Sequence, residues 1–202
     1  MSEGPLRVVL LDSGGANLGS VQAALARLGI DAPVSSDAAT IAAATHLVLP
    51  GVGAAGAAMA RLRANGLDRL IPATTQPLLG ICIGMQLLYD SSEEGDTACL
   101  GLLPGRVCKL PVSPGVRVPH MGWNQLHTRR AMPLVEGLDG ENVYFVHSYA
   151  APVDANTVCD CTHGAPFAAV VSQGRVSGAQ FHPERSSVAG ARLLANFLGI
   201  KP

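Results

Sequence analysis

The sequence predicts an α/β fold with a mostly parallel central sheet and helices on both of its faces. From Arg7 to Tyr89, short apolar runs alternate with segments of helical periodicity, and the links between them are short. The second half instead contains strand-like runs at hairpin spacing, which predict an additional, partly antiparallel sheet. The sequence of 202 residues contains neither an internal repeat nor a convincing linker. We therefore predict a single domain over residues 1–202.

The elements of the first half follow from two patterns. Continuous apolar runs such as 46–50 are typical of parallel strands that are buried on both faces. Helical spacing is clearest where Leu18, Val21 and Leu25 share one face and Gly29 is a typical terminator. The predicted strands are 7–12, 32–35, 46–50 and the run that begins at 77, and the predicted helices are 17–28, one from 37, one at 62–71 and one that ends near 89.

In the second half, apolar and β-branched segments are separated by turns that contain proline or glycine. Such segments predict short strands rather than helices. The polar, glycine-bearing stretch from Ser91 to Leu103 is expected to be a loop. A helix with a single apolar stripe is expected at 188–198. The predicted strands are 106–110, 116–119, 142–149, 158–162, 167–171 and 176–180.

The composition limits the kinds of function. Hydrophobic residues make up 48% of the chain and charged residues 14%, which suits a compact enzyme domain and argues against disorder. The formal net charge of −1 provides no basic surface for nucleic acid. No apolar run approaches the roughly 20 residues that a membrane-spanning helix needs, and the N-terminus lacks the pattern of a secretory signal. We expect a cytoplasmic protein that binds neither nucleic acid nor a membrane.

The five cysteines indicate neither a disulfide framework nor a metal site. Their number is odd, and their spacing matches no disulfide pattern for a chain of this size. Cys159 and Cys161 form a C-x-C pair without the second pair that would complete a zinc site, so we interpret them as strand residues. The sequence also lacks a Rossmann fingerprint and a Walker A motif. No metal and no cofactor are expected.

The clearest chemical signal is the segment PLLGICIGMQLLY at 77–89, in which a short apolar strand leads into Gly80, Cys82 and Gly84. A nucleophile on a sharp strand-to-helix turn stands clear of the sheet, and the flanking glycines leave room for the crowded backbone. The N-terminus of the following helix favours a thiolate, and the Ile83 N–H can donate to an oxyanion. A cysteine buried in a core strand is the alternative, and the segment alone favours the nucleophile only slightly.

A base for this cysteine is found near the end of the chain. His182 follows a predicted strand in the segment AQFHPE, and Glu184 lies two residues on, where its carboxylate can fix the imidazole tautomer. A strand-end histidine beside a solvated glutamate is the alternative. The cysteine turn and the His-Pro-Glu segment together clearly favour a cysteine hydrolase whose triad is Cys82, His182 and Glu184.

A glycine loop at the end of the third predicted strand offers a second oxyanion donor. Gly51, Val52 and Gly53 lie where ligands bind in open α/β sheets. A Gly-x-Gly loop is weak evidence by itself, and a plain turn is the alternative. Among the histidines, His120 and His147 are harder to interpret as ordinary surface residues because of the residues beside them.

Together, Pro50–Gly53, Gly80–Gln86 and Phe181–Glu184 resemble the class I, or triad, glutamine amidotransferases. Within that superfamily, Pro119–Asn124 and Tyr144–Tyr149 resemble the family of glutaminase subunits of imidazole glycerol phosphate synthase. The resemblance covers nearly the whole chain, with the motifs in the expected order. It implies a three-layer, flavodoxin-like fold of the class I glutamine amidotransferase type.

For the activity, the resemblance implies hydrolysis of L-glutamine to glutamate and ammonia through a γ-glutamyl thioester on Cys82. His182 would protonate the leaving ammonia and then activate water, while Glu184 orients it. Val52 and Ile83 would form the oxyanion hole, and the Val52 peptide can rest in a non-productive orientation. The residues expected to hold glutamine are Gly51, Gly53, Gln86, His147, Ser148 and Tyr149.

The resemblance also implies a partner. In relatives, ammonia passes to a (βα)8-barrel cyclase subunit that makes imidazole glycerol phosphate and an aminoimidazole carboxamide ribonucleotide in histidine biosynthesis. A sealed exit is chemically required because free ammonia is mostly protonated in neutral water. Hydrolysis should be weak alone and strongly stimulated by the cyclase and its nucleotide ligand. At this heterodimer interface we expect an exposed ring of Asn17, Trp123, Asn124 and Tyr144; core packing is the alternative for Trp123.

One stretch departs from the family pattern. The first turn is Asp12-Ser13-Gly14-Gly15-Ala16-Asn17, where the family usually has D-Y-G-x-G-N. Because this turn faces the cyclase in relatives, the departure concerns the interface and not the triad.

Other functions remain open at this stage. A related subunit could serve another ammonia acceptor, in pyridoxal phosphate, purine or anthranilate synthesis, and Pro119–Asn124 is the reason to prefer the histidine pathway. A non-catalytic glutamine-binding module would require a broken triad, and all three members are present. An independent cysteine peptidase fits less well because no peptide-sized specificity element is found.

Overall fold

A computed structural model describes residues 5–14 and 17–201 of the chain. The strands are β1 Val8–Leu11, β2 Val34–Ser35, β3 His46–Gly51, β4 Leu78–Cys82, β5 Tyr89–Ser92, β6 Thr97–Ala98, β7 Leu103–Lys109, β8 His120–Gln125, β9 His127–Thr128, β10 Asn142–His147, β11 Tyr149–Ala150, β12 Thr157–His163, β13 Ala165–Gln173 and β14 Val176–Ala179. The α-helices are α1 Leu18–Arg27, α2 Ala38–Ala42, α3 Ala55–Ala64, α4 Leu67–Ala73, α5 Ile83–Gln86 and α6 Ser187–Leu198. Short 3-10 turns lie at Glu94–Asp96, Pro133–Val135 and Pro183–Arg185.

The main sheet has eight strands in the order β2-β1-β3-β4-β14-β13-β12-β9. Neighbours from β2 to β14 pair in parallel, whereas β13, β12 and β9 are added by antiparallel pairing. Every residue of β1, β4 and β14 is buried. Because successive side chains of a strand point to opposite faces, both faces of this sheet are covered.

Two smaller sheets complete the architecture. The strands β11, β7, β5 and β6 form a mixed sheet in which β5 and β7 are parallel and the other pairs are antiparallel. The strands β8 and β10 form a separate antiparallel ribbon. The predicted α/β fold, with a mostly parallel sheet and an additional, partly antiparallel one, is therefore confirmed.

Several strand predictions in the second half are wrong. The stretch from Ser91 to Leu103 is not simply a loop, since it ends β5, forms β6 and begins β7. Residues 116–119 form no strand, and Val116 makes only a single bridge to Ser113. The sequence pattern predicts no strand at β8, although most of its residues belong to the Pro119–Asn124 motif. Whether these segments form strands depends on which neighbouring backbone they pair with, and their side-chain patterns do not reveal that pairing.

Two helix predictions are also wrong. The expected helix at 62–71 is two helices, α3 and α4, which are separated at Gly66 with φ at +69°. The left-handed backbone there breaks the helix, and glycine adopts it without strain. The helix after Cys82 was expected to end near Tyr89, but α5 ends at Gln86. Tyr89 instead begins β5, where it pairs with Leu103 of β7.

The buried apolar side chains form two clusters. The larger one is centred on β1, β3 and β4 and includes Cys82. The second is centred on β10, β12 and β13 and includes Phe181, which directly precedes His182. Cys82 is therefore anchored by one apolar cluster, and His182 follows a residue that is anchored by the other. Across the described ranges, the helices are too short or too polar to cross a membrane.

Candidate active site

The candidate site lies at the carboxyl ends of four neighbouring parallel strands. Cys82 ends β4 and Gly51 ends β3, while His182 follows β14 and Asn17 lies beyond the end of β1. In a parallel sheet these ends lie along one edge, which is where open α/β sheets bind ligands. The strand order β1-β3-β4-β14 thus brings together segments that are far apart in the sequence.

Cys82 occupies a strained turn between a strand and a helix. Its φ is 54° and its ψ is −112°, which is uncommon for a residue other than glycine. The helix α5 begins at the next residue, as the sequence predicted for a nucleophile turn. However, α5 has only four residues, so its dipole supports a thiolate less than the predicted longer helix would.

The glycines around Cys82 are required by backbone packing. A Cβ on Gly80 would lie 2.6 Å from the Gly84 carbonyl oxygen, and one on Gly51 would lie 2.7 Å from Gly84 N. A Cβ on Gly84 would collide with the Leu49 carbonyl oxygen. Backbone atoms cannot turn aside as a flexible side chain can, so this approach of β3, β4 and the turn requires glycine. The predicted role of Gly80 and Gly84 is confirmed.

His182 and Glu184 form a buried pair that Asn17 joins. His182 Nδ1 lies 2.8 Å from Glu184 Oε1, and the side chains are 4% and 1% exposed. Asn17 Nδ2 donates to the same carboxylate oxygen at 2.7 Å. Because a carboxylate accepts at Nδ1, that nitrogen carries a hydrogen, and Nε2 is left to exchange a proton elsewhere. Nε2 is buried without a hydrogen-bond partner among the described residues.

The protonation of this pair is set by charge more than by burial. Burial disfavours the imidazolium of His182, but contacts with Cys82 and Glu184 outweigh it and raise the pKa of His182 to about 10. Burial also works against the Glu184 carboxylate, but His182 and Asn17 more than offset it and hold the pKa of Glu184 below its usual range. At neutral pH the site therefore holds a protonated imidazole between a carboxylate and the Cys82 sulfur.

A cavity of about 360 Å³ opens over the cysteine. That volume lies in the range of small-molecule sites. It contains most of the predicted site residues, but Gly51 is not among them because it packs underneath, against Gly84. The lining residues are Val52, Gly53, Cys82, Ile83, Gln86, Glu94, Pro119, Val146, His147, Ser148, Tyr149 and His182.

Two polar residues of the site were missed by the sequence analysis. Glu94 lines the cavity from a 3-10 turn, and its Oε2 accepts a hydrogen bond from Ala55 N at 2.7 Å. It lies in the stretch predicted as a loop, and no motif marks it. Gln180 is fully buried beside Cys82. A usable signal was present there, since a glutamine at the end of a buried strand, two residues before the base, needs buried partners.

Gln86 is held by two acceptors inside the protein. Its Nε2 donates to the Tyr149 carbonyl oxygen at 2.8 Å and to Gln180 Oε1 at 3.0 Å. The Gln86 side-chain oxygen is buried and has no partner among the described residues. The residue is thus fixed in place and still offers one acceptor.

A buried histidine, His147, lines the cavity, and a second buried histidine, His120, contacts it. His147 Nδ1 is 2.9 Å from the Tyr149 carbonyl oxygen, and His147 Nε2 is 3.0 Å from His120 Nδ1. Burial lowers the pKa of His147 to about 3 and, with a smaller effect of His163, that of His120 to about 4. Both rings are therefore neutral near pH 7. Since the carbonyl can only accept, His147 carries its hydrogen on Nδ1 and accepts from His120 at Nε2.

The prediction of an exposed ring is only partly right. Trp123 is 56% exposed, and Tyr144, half-buried, packs edge-on against it with 6.1 Å between the ring centroids. Asn17 is instead buried against the triad, and Asn124 donates inward to His120 Nε2 at 3.3 Å and to the Thr162 carbonyl oxygen at 2.9 Å. The prediction of exposure is wrong for Asn17, because its amide satisfies a buried acceptor. Asn124 is half-buried, as Tyr144 is, and its place at a partner interface stays a prediction.

The structure describes part of the first turn, the stretch that departs from the family pattern. Gly15 and Ala16 lie outside the described residues. Ser13 is buried, and its hydroxyl donates to the Pro50 carbonyl oxygen at 2.6 Å. The serine thus ties the first turn to the strand that leads into Gly51.

The remaining cysteines take no part in this site. Cys159 and Cys161 are free, buried strand residues, and Asp160 between them pairs with Arg129 at 2.7 Å. Burial raises the pKa of Cys159 to about 11 and, helped by Asp160, that of Cys161 to about 12. The interpretation of this C-x-C pair as strand residues is confirmed, and both are protonated thiols at neutral pH.

Comparison with known sequences gives close matches. The family model described as glutamine amidotransferase class-I matches residues 9–200. The imidazole glycerol phosphate synthase subunit HisH of Xanthomonas euvesicatoria pv. vesicatoria is 58% identical over 192 residues, covering 95% of this chain and 96% of the relative. The protein of the same name from Xylella fastidiosa (strain Temecula1) is 56% identical over 192 residues, with the same coverage of 95% and 96%.

Solved structures agree on the fold. A putative GMP synthase protein from Thermoplasma acidophilum has a TM-score of 0.73 at 19% identity, covering 98% of this chain and 94% of that one. A crystal structure described as a glutamine amidotransferase also has a TM-score of 0.73, at 21% identity, with coverage of 95% and 97%. At such identities the likeness establishes the fold and not the activity.

Proposed function

The chain belongs to the class I glutamine amidotransferase family, and we propose that it hydrolyses L-glutamine to glutamate and ammonia in the cavity over Cys82. Relatives more than half identical along nearly the whole chain are named subunit HisH of imidazole glycerol phosphate synthase. We assign this chain the same place, as the glutamine amidotransferase subunit of that synthase in histidine biosynthesis.

The observation that carries the proposal is the convergence of a strained cysteine and a carboxylate-bound histidine on one cavity. Cys82 and His182 both line it, although they come from different strands. The Glu184 carboxylate, 2.8 Å from His182 Nδ1, fixes the imidazole so that Nε2 is the exchanging atom. This pairing supports nucleophilic catalysis by a thiolate with an imidazolium as the acid.

Charge in the cavity supports an amino acid as the substrate. The Glu94 carboxylate also lines the cavity, and we assign it the α-ammonium group of glutamine. Gln86 also lines the cavity, and its buried side-chain oxygen has no partner among the described residues. Gly53, His147, Ser148 and Tyr149 line the rest of the cavity. Gly51 is not among the lining residues and packs against Gly84, beneath the turn.

The reaction follows from these positions. The Cys82 thiolate attacks the side-chain amide carbon of glutamine and forms a C–S bond, while the carbonyl electrons move onto oxygen. Backbone N–H groups of Ile83 and Val52 are assigned to that oxyanion. The C–N bond then breaks as His182 Nε2 gives its proton to the departing nitrogen, which leaves as ammonia. The neutral His182 next takes a proton from water, whose oxygen attacks the thioester and releases glutamate and the thiolate.

A partner is required by the chemistry of the product. Ammonia released into neutral water is protonated and loses its nucleophilicity, so it must pass directly to an acceptor site. We propose that this partner is a cyclase with a (βα)8-barrel fold, docked at the exposed side chain of Trp123 in the β8–β10 ribbon. Tyr144 packs against this side chain and supports it. We place the resulting heterodimer in the cytoplasm, as for other enzymes of amino-acid biosynthesis.

The test is ammonia release from glutamine by the chain with the purified cyclase and its nucleotide ligand. We expect strong stimulation by the partner and a loss of at least about 1,000-fold in Cys82→Ala. Cys99→Ala is the matched control, since Cys99 is a half-buried cysteine that does not line the cavity and should leave turnover unchanged. Full turnover by Cys82→Ala would refute the mechanism. Stimulation by the synthase of another pathway, and not by the cyclase, would refute the assigned partner.

A further inference from the structure

Gln180 is a fully buried amide that bridges the nucleophile and a substrate-binding residue. Its Nε2 lies 3.8 Å from Cys82 Sγ, and its Oε1 accepts from Gln86 Nε2 at 3.0 Å. We propose that Gln180 is a further member of the active site, which donates a hydrogen bond to the Cys82 thiolate and is oriented for this task by Gln86. The inference rests on the proposed function, in which Cys82 is the nucleophile.

The orientation of the Gln180 amide follows from its neighbours. The Tyr149 carbonyl oxygen can only accept, so Gln86 must present its nitrogen there, at 2.8 Å. The same nitrogen has a second hydrogen, which it donates to Gln180 at 3.0 Å, and this requires the oxygen of Gln180. The nitrogen of Gln180 then faces the sulfur. A flipped amide would place two donors face to face and an acceptor against the thiolate.

The surroundings of the sulfur explain what such a donor would do. The Val146 carbonyl oxygen lies 4.0 Å from Sγ, where it can accept from a thiol but repels a thiolate. The short helix α5 adds only a small dipole. A hydrogen bond to the charged form of a group favours that form. Gln180 cannot take up the sulfur proton, so it stabilises the thiolate without competing with His182 for the proton.

The anchoring of Gln180 extends across the cavity wall. The Tyr149 carbonyl that orients Gln86 also accepts from His147 at 2.9 Å. A continuous set of hydrogen bonds therefore runs from His147 through the Tyr149 carbonyl, Gln86 and Gln180 to the sulfur. The side chains of His147, Gln86 and Gln180 are buried and their donor directions are fixed, so the Gln180 amide is held in one orientation.

The test is the pH dependence of Cys82 alkylation by iodoacetamide, followed by mass spectrometry of the peptide that contains Cys82. The titratable groups that line the cavity with Cys82 are His182 from the turn after β14, His147 from β10, Tyr149 from β11 and Glu94 from its 3-10 turn, and all remain in the variants. Gln180→Met keeps the length of the side chain but removes the donor. We expect its alkylation profile to move upward by about one pH unit, with about 10-fold slower reaction below the midpoint.

Further variants and a second readout complete the test. Gln180→Glu keeps an acceptor for Gln86 but places a carboxylate near the sulfur, so its profile should move further than that of Gln180→Met. Gln180→Asn shortens the amide by one carbon and substitutes for Gln180→Met if the latter does not fold. If Cys82 does not react with iodoacetamide, the acid limb of kcat/KM for glutamine, measured with the cyclase, is expected to move in the same direction.

The matched control is Gln76→Met. Gln76 is a half-buried amide that donates to carbonyls of α2, near the start of β4, and its loss should leave the Cys82 profile unchanged. Unchanged profiles in folded Gln180→Met and Gln180→Glu would overturn this inference, even if glutamine hydrolysis depends on Cys82. Hydrolysis that survives in Cys82→Ala would instead overturn the proposed function, so the two failures are distinguishable.

Discussion

His182 and His147 line the same cavity and are almost equally buried, yet at neutral pH His182 is cationic and His147 is neutral. The pKa of His182 is raised to about 10, whereas that of His147 is lowered to about 3. His182 is bonded to a carboxylate and shares the cavity with the Cys82 sulfur, whereas His147 contacts a backbone carbonyl and the neutral ring of His120. Burial alone lowers the pKa of a histidine, so the charge of the partners decides which ring becomes the acid.

The two regions therefore have different tasks. The region around His182 holds a proton that can be given to a leaving group. The region around His147 is neutral, and the direction of each of its hydrogen bonds is fixed. The Tyr149 carbonyl accepts hydrogen bonds from both His147 and Gln86. This difference can be tested by removing the carboxylate charge from the region around His182 and by removing one hydrogen-bond donor from each region.

The largest effect is expected for Glu184→Gln, which removes the negative charge but keeps a side chain of similar size. Without the carboxylate, burial should prevail and the pKa of His182 should fall well below 10, as it does for His147. We expect kcat/KM for glutamine to drop about 100- to 10,000-fold, with the alkaline limb of its pH profile moved to lower pH. An unchanged limb would show that the charge of Glu184 does not set the protonation of His182.

The same variant has a signature in stability. The raised pKa of His182 stabilises the wild-type fold fully below the unfolded value of 6.5, and this stabilisation is lost as the pH rises through about 10. The lowered pKa of Glu184 stabilises the fold above its unfolded value of 4.5, and this is lost as the pH falls through the lowered folded value. Urea unfolding should therefore show the largest difference between wild type and Glu184→Gln from about pH 5 to 6.5.

A smaller loss is expected for Asn17→Ala. The variant removes the donor 2.7 Å from Glu184 Oε1, so the pKa of Glu184 should rise and His182 should be held less firmly. We expect about a 10-fold decrease in kcat with little change in KM, measured as ammonia release with the cyclase present. Asn196→Ala is the matched control, because Asn196 also donates to two acceptors but does so far from the cavity. An equal loss in both variants would argue against a specific role of Asn17.

The smallest effect on catalysis is expected for His120→Phe, on the neutral side, because His120 does not line the cavity and its loss changes mainly the stability. At pH 7.5 the variant leaves His147 Nε2 without its donor and should lower the free energy of unfolding by about 1–3 kcal/mol. Wild-type His120 stays neutral when folded but takes a proton below pH 6.5 when unfolded, so it reduces stability as the pH falls from 6.5 toward 4. The stability difference from wild type should therefore be smaller at pH 5 than at pH 7.5. A difference that does not change with pH would show that His120 is not held neutral.

Much of the chemistry was determined by the sequence alone. The apolar runs predicted the parallel strands, and the glycines around Cys82 predicted a crowded turn, because both depend on local pattern and on the size of single residues. Glu184 is only two residues after His182 in the sequence, so it had to lie near that histidine in any fold. These features need no knowledge of which segments meet.

Only the tertiary structure decided the rest. Asn17 was predicted at the surface, but the alignment of β1 with β3, β4 and β14 places it on Glu184. Glu94 was missed because its partner Ala55 lies far away along the chain. The buried position of Gln180 indicated a need for partners, but only the fold identifies Cys82 as one of them. Likewise, the His-Pro-Glu segment places a carboxylate near His182, but no local pattern predicts that His147 is neutral. Their charge states depend on which groups the fold brings within a few ångströms, and electrostatic interactions between buried groups are decided at that distance.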